Sequence, residues 1–227
     1  MALKDTLEAD VKKIFADSWT TRKGSVVPES GDIGLGNDGV TLDGTVLYAD
    51  LDGSTNMVDQ YTAEFSAEVY KAYLNCAAKI IRAEGGVITA YDGDRIMAIY
   101  IGDTKNTNAA RTGLKINYAV EQILNPALKK QYPNKGYQVK QVVGIDTCSL
   151  LVARTGIRGS NDLVWVGPAA NHAAKMSALS PAYPTRVSKA VYDVLNSTVK
   201  TPGNKTIWEE ATANGKTVYR SAYEWAL

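Results

Sequence analysis

Sulfur and imidazole are scarce in this chain: two cysteines and one histidine in 227 residues. Cys76 falls in a helical pattern and Cys148 in a strand-like one. Neither lies near another cysteine or a histidine cluster, which excludes a disulfide framework and predicts two reduced thiols. The lone His172 has no partner at ligand spacing, so it is expected to face away from any site and to do no chemistry. Charge of one sign is lacking too. A net charge of +1 leaves no electrostatic footprint for nucleic acid or an anionic membrane, although a local basic pocket for phosphates stays possible. No apolar run approaches membrane-spanning length, and Met1-Ala2-Leu3-Lys4-Asp5 lacks the apolar core of a signal peptide, so a soluble, cytoplasmic protein is expected. There are no internal repeats. With 45% hydrophobic and 22% charged residues, the composition is that of an ordinary globular domain.

Two stretches carry chemistry. In Val46-Leu47-Tyr48-Ala49-Asp50-Leu51-Asp52-Gly53-Ser54-Thr55, an apolar run of strand length is stopped by carboxylates and then by Gly-Ser-Thr, which can open a helix. Oxygen ligands at a strand's end suit a hard divalent cation. In Val87 to Tyr100, two β-type runs flank Asp92-Gly93, a hairpin dipeptide, and put Asp94 at or just after the tip. Such a hairpin beside the first strand brings Asp50 and Asp94 together. Taken alone, each stretch is also compatible with a solvated polar turn.

Around these, Leu3, Leu7, Val11, Ile14 and Phe15 predict an amphipathic helix to about Trp19, and Thr20 to Asp43 reads as a Gly/Ser/Asp/Pro-rich linker. Gly34 and Gly36 follow no strand and precede no helix, so they do not make a phosphate loop. The division expected is 1–43 as helix and linker and 44–227 as the main domain. Val58, Tyr61, Phe65, Val69, Tyr73, Cys76 and Ile80 predict one long helix from Ser54 to Glu84, stopped by Gly85-Gly86. A second helix spans Thr104 to Gln131, interrupted or ended near Pro126, and a strand spans Tyr137 to Asp146. The order strand, helix, hairpin, helix, strand is the α+β, ferredoxin-like βαββαβ core. Beyond it, a strand at Ser149 to Ala153, a polar loop from Arg154 to Asp162 and a strand at Leu163 to Val166 precede a helix from Pro168 through Leu179. A C-terminal extension of short strands has one helix at Ser188 to Leu195. Asn171 and Lys175, four apart, share a helix face and can point an amide and a cation at one anion; without other context a solvated face is the favoured reading of the pair.

From about Thr45 to Arg220 the chain resembles the class III nucleotidyl cyclases. Tyr48-Ala49-Asp50-Leu51-Asp52-Gly53-Ser54-Thr55 resembles their aromatic-x-Asp-Ile-x-Gly-Phe-Thr signature, and Gly93-Asp94 their second metal site. Trp165-Val166-Gly167 with Asn171-His172-Ala173-Ala174-Lys175-Met176 resembles their Trp-Gly-x-x-x-Asn-x-Ala-x-Arg-Met stretch. The resemblance implies two Mg²⁺ or Mn²⁺ ions per site on Asp50, Asp94 and the Leu51 carbonyl. It implies a head-to-tail homodimer in which Asn171 and Lys175 of the second chain orient the ribose and stabilise charge at the α-phosphate, and a phosphate-binding role for Lys216. Where ATP-using members carry a purine-reading lysine and an aspartate or threonine, this sequence has Ala90 and Val164. Tyr48 adds a hydroxyl beside the base, and Lys175 offers a point charge where the family has the arginine fork. These departures resemble the pyrimidine cyclases of bacterial Pycsar antiphage systems. They imply conversion of UTP to cyclic UMP as a second messenger sensed by a separate effector protein, with CTP the next candidate and ATP or GTP after it. Other classes compatible with the residues are a non-catalytic nucleotide-binding module and a haloacid-dehalogenase-like phosphatase, which the short interval from Asp50 to Asp94 disfavours.

Overall fold

The computed structural model describes residues 2–227. Its elements are α1 (Leu3–Ala16), β1 (Thr20–Lys23), β2 (Asp38–Asp52), α2 (Ser54–Gln60), α3 (Ala63–Ala83), β3 (Val87–Asp92), β4 (Arg95–Tyr100), α4 (Lys105–Ala119) and α5 (Asn125–Gln131). They continue as β5 (Lys140–Ile157), β6 (Ser160–Val166), α6 (Pro168–Ser177), β7 (Thr185–Ser188), α7 (Lys189–Asp193), α8 (Ser197–Lys200), β8 (Glu209–Ala213) and β9 (Lys216–Ser221). The chain divides into two compact units: residues through Asp43 with Ser149–Gly167, and Gly44–Cys148 with Pro168–Leu227.

In the larger unit the strands run in the order β3-β4-β2-β5-β7-β9-β8. The first core strand therefore lies between the third and the fourth, as the ferredoxin-like reading requires. β2 is central because its sequence can be buried on both faces: Val46, Leu47, Ala49 and Leu51 are all buried. Against Leu47, Ala49 and Leu51 pack Phe65, Val69, Tyr73, Ala77 and Ile81 of α3, and Ala109, Ala110 and Leu114 of α4 belong to the same core. Each fully buried aliphatic or aromatic side chain contributes about 1.5–3 kcal/mol of transfer free energy. At the C-terminal end of α3, Glu84 is buried and takes Arg111 at 2.5 Å and Lys115 at 2.7 Å, which ties α3 to α4.

Several boundaries differ from the sequence reading, each for a local reason. The long helix from Ser54 breaks at Tyr61-Thr62, where the extended Thr62 caps α3 by accepting from the Phe65 N–H at 3.4 Å. The next helix is interrupted as expected: the turns at Val120–Leu124 widen to a π-helix just before Pro126, whose missing N–H cannot continue the regular ladder. The two strands expected around Asp146 and Leu150 are one, β5. The polar loop expected at Arg154–Asp162 is instead a hairpin whose loop is Arg158-Gly159, with Ile157 opposite Ser160. In the smaller unit the expected linker contains β1, which pairs in parallel with Asp38–Thr41 of β2. There α1 ends at Ala16, and none of its described residues is buried. In the larger unit α6 stops at Ser177, and the helix expected at Ser188–Leu195 is the shorter α7, capped by Ser188.

Candidate active site

Two groups of candidate side chains occur in the larger unit. The first is laid out by strand register. Across β3, β4 and β2, Ala90 is opposite Met97 and Met97 opposite Tyr48; one step on, Asp92 is opposite Arg95 and Arg95 opposite Asp50. Residues in register share a face, and so do residues two apart, so all six side chains lie on one face of the sheet. Asp94 follows in the hairpin loop, where Gly93 takes the left-handed φ of 60° that lets the turn close in two residues. Arg95 Nε lies 3.3 Å from Asp50 Oδ2. Burial raises the Asp50 carboxyl above its ordinary pKa; Arg95 offsets this in part, and the negative charge of Asp94 adds to it. Asp50 and Asp94 are thus close enough to repel. Both also act on the Tyr73 phenol, which is wholly buried and has no hydrogen-bond partner. Burial likewise raises the pKa of Tyr48, so its hydroxyl keeps its proton at neutral pH and can donate.

Among the described residues, no group of three or more His, Cys, Asp and Glu side chains is gathered as a metal site. The donors present are two carboxylates, Asp50 and Asp94, and the carbonyl of Leu51, the residue after Asp50. Such an all-oxygen set suits Mg²⁺ or Mn²⁺, which keep positions open for water and phosphate. The charge situation agrees: the desolvated Asp50 has one guanidinium beside it and feels the negative charge of Asp94.

The second group lines a cavity of about 500 Å³ formed by β5, α6, α7 and the β8–β9 hairpin. Lys175 and Lys216 both face it, and so do His172 and Asp146. Lys216 is placed by the hairpin turn Asn214-Gly215, whose two residues have φ of 50° and 73°, the double positive φ that Asn-Gly accepts most readily. α6 is placed by Gly144 of β5: a Cβ there would lie 2.1 Å from the Ala173 carbonyl oxygen, so glycine is what lets the helix approach. His172 is not the bystander the sequence suggested. Its Nδ1 lies 2.9 Å from Asp146 Oδ2 and its Nε2 2.7 Å from Lys216 Nζ. A signal was available, since Asp146 ends a buried apolar run and a buried carboxylate demands a partner.

The structure thus groups Tyr48, Ala90, Asp50, Leu51 and Asp94, and separately Lys175 and Lys216. Asn171 lies one helical turn from Lys175, is exposed, and does not line the cavity. Val164 belongs to the smaller unit, on β6 opposite Ala153, with 40% of its surface exposed.

No protein-family model matches the chain. A protein named uridylate cyclase from Xanthomonas perforans is 51% identical over 231 residues, covering 100% of both chains. Another of that name from Burkholderia cepacia is 46% identical over 232 residues, again covering 100% of both. Among solved structures, a bacterial light-regulated adenylyl cyclase superposes with a TM-score of 0.69 at 19% identity, over 82% of this chain and 54% of that one. A guanylyl cyclase domain from Blastocladiella emersonii, described as a non-canonical dimer, superposes with a TM-score of 0.61 at 13% identity, over 81% and 96%. The shared fold is that of cyclase catalytic domains, which removes the haloacid-dehalogenase reading. End-to-end identity of about half to proteins of one name goes further than fold: this chain belongs to the uridylate cyclases, within the class III nucleotidyl cyclases.

Proposed function

We propose that the chain converts UTP to 3′,5′-cyclic UMP and diphosphate, at sites completed by a second copy of itself. The observation that carries this reading is the end-to-end similarity to proteins named uridylate cyclase. The row Ala90–Met97–Tyr48 supports it: no lysine stands there to read a purine, and the one polar tip is a protonated hydroxyl suited to a pyrimidine carbonyl.

Asp50 and Asp94, with the Leu51 carbonyl, would hold two divalent ions. When bound, these would lower the pKa of the ribose 3′-hydroxyl and neutralise the diphosphate as it leaves. The 3′-oxygen attacks the α-phosphorus, the bond from that phosphorus to the bridging oxygen breaks, and the hydroxyl proton passes to solvent. No protein nucleophile is required. Arg95 keeps Asp50 oriented before substrate arrives. Lys175 and Lys216 supply two cations to one cavity, the arrangement a polyphosphate chain needs. Asn171, exposed beside that cavity, is left to orient the ribose.

The homodimer reading rests on the separation of the two groups. The residues acting on Asp50 are Arg95, Asp94 and Leu51, and neither acid lines the cavity that holds Lys175 and Lys216. A second copy in head-to-tail arrangement would set the cations of one chain against the acids of the other. No helix among the described residues is long and apolar enough to cross a membrane, which agrees with a cytoplasmic enzyme. Its product would act as a second messenger in antiphage defence, sensed by a separate effector protein.

The test is incubation of the purified protein with UTP, CTP, ATP and GTP separately in Mn²⁺, with products identified by mass spectrometry. Cyclic UMP as the dominant product is expected. Cyclic CMP, AMP or GMP in its place would overturn the base assignment, and no product from any nucleotide would favour a binding-only module.

A further inference from the structure

The cavity holds a chain of three polar side chains of which the cyclase reading uses only Lys216. Asp146 is 6% exposed, at the point where β5 passes beneath α6. One of its oxygens accepts the Thr147 N–H at 2.8 Å, and the other lies 2.9 Å from His172 Nδ1. Lys216 reaches from β9, with Nζ 2.7 Å from His172 Nε2 and 3.3 Å from Nδ1. Three side chains from three elements thus meet, with the ammonium against the ring and 3.3 Å or less from both of its nitrogens.

Their chemistry fixes the direction of the chain. The Asp146 carboxylate only accepts, so the ring nitrogen nearest it, Nδ1, carries the proton and donates to Asp146. In the neutral ring Nε2 is then unprotonated. An imidazolium would set two cations 2.7 Å apart, which the neutral ring avoids. Lys216 itself is exposed, follows a two-residue turn and has a four-carbon stem, so alone it would sample many rotamers.

We propose that His172, oriented by Asp146, is a positioning residue that aims the Lys216 ammonium into the cavity where the triphosphate is bound. This rests on the reading of Lys216 as a phosphate-binding residue. Lys175 shares the cavity but has no such brace among the described residues, so the pair would divide the work: one cation fixed, one adjustable.

The test is a double-mutant cycle on the intact protein, using whichever nucleotide it cyclises, with Tm recorded for every variant. Lys216→Ala is expected to raise KM about tenfold, the value of a hydrogen bond to a charged group. His172→Leu is expected to lower kcat/KM about tenfold, mostly through KM, yet by less than twofold when Lys216 is already alanine. His172→Gln, whose amide oxygen reaches the place of Nε2, should restore most of the loss. A purely structural His172 would give additive losses in the two backgrounds, and additivity overturns the proposal. Normal kinetics in Lys216→Ala overturn the phosphate-binding reading and the proposal together; impaired Lys216→Ala with normal His172→Leu overturns the positioning role alone. Independently of activity, ¹⁵N NMR of the single histidine should find the proton on Nδ1 and a change at Nε2 in Lys216→Ala. A proton on Nε2 at neutral pH would also overturn it.

Discussion

Gly144→Ala tests whether the position of α6 governs catalysis. The added methyl carbon would meet the Ala173 carbonyl oxygen at 2.1 Å, the Met176 Cβ at 2.8 Å and the Ser177 nitrogen at 2.8 Å, all on α6. None of these can rotate away. Ordinary contact begins at about 3.4 Å, so the helix must retreat by about 1.3 Å, carrying Asn171, His172 and Lys175 with it. Overpacking of this kind costs about 1–3 kcal/mol. That lowers Tm by about 2–12 °C for a chain of this length. A displacement of ~1 Å in a preorganised site costs about 10²-fold in rate. The assay is kcat on UTP beside a urea melt, with Gly31→Ala as control, because a Cβ at Gly31 meets nothing within 4 Å. The control should stay within about 0.5 kcal/mol of the parent and be fully active. Gly144→Ala with unchanged stability refutes the packing argument; lost stability with unchanged kcat refutes the link from α6 to catalysis.

Asp50→Asn and Asp94→Asn should each fold, abolish turnover and remove the stabilisation by Mn²⁺, which for the parent protein is about 2.7 kcal/mol at a hundred times Kd; a full Mn²⁺ shift in either variant would contradict the ligand assignment. Burial pushes the Glu84 carboxyl up, but hydrogen bonds and charge from Arg111 and Lys115 outweigh it and hold the pKa below the ordinary value. The stability Glu84 contributes is therefore present above the unfolded carboxyl pKa and lost as pH falls through the lowered folded one. Glu84→Gln should cost about 2–3 kcal/mol at pH 7, with the gap from the parent closing below about pH 4 in denaturant melts. Tyr48→Phe should lower kcat/KM for UTP about tenfold without changing Tm, and an unchanged value would remove the hydroxyl from base recognition.

Where the determinants were local, the sequence could be read. β2 announced itself by an apolar run ending in acids, the β3–β4 hairpin by Asp92-Gly93, and the interruption near Pro126 by the missing N–H. β1 could not be read that way: all four of its residues are exposed, so no hydrophobic alternation marks it, and its fixed point is Arg22 paired with Asp38 at 2.9 Å, sixteen residues on. The β5–β6 hairpin escaped for the same reason, with solvent-facing polar residues and two glycines resembling a loop. In the site, Asp50 and Asp94 were recognisable from flanking pattern. His172 was not, because its partners Asp146 and Lys216 are 26 and 44 residues away and only folding brings them to it. Asn214-Gly215 did carry a hairpin signal that would have placed Lys216 directly after a turn.

Co-expression of Asp94→Ala with Lys216→Ala tests most directly the claim that acids and cations of one chain serve different sites. At UTP well below KM, Asp94→Ala alone should be inactive and Lys216→Ala alone about tenfold impaired. If two copies build each site, half of the randomly paired dimers carry one intact site of two, and cyclic UMP formation should return to about a quarter of the parent rate. A rate no higher than the mean of the two variants measured separately would mean that each chain completes its own site, and the dimeric account would be wrong.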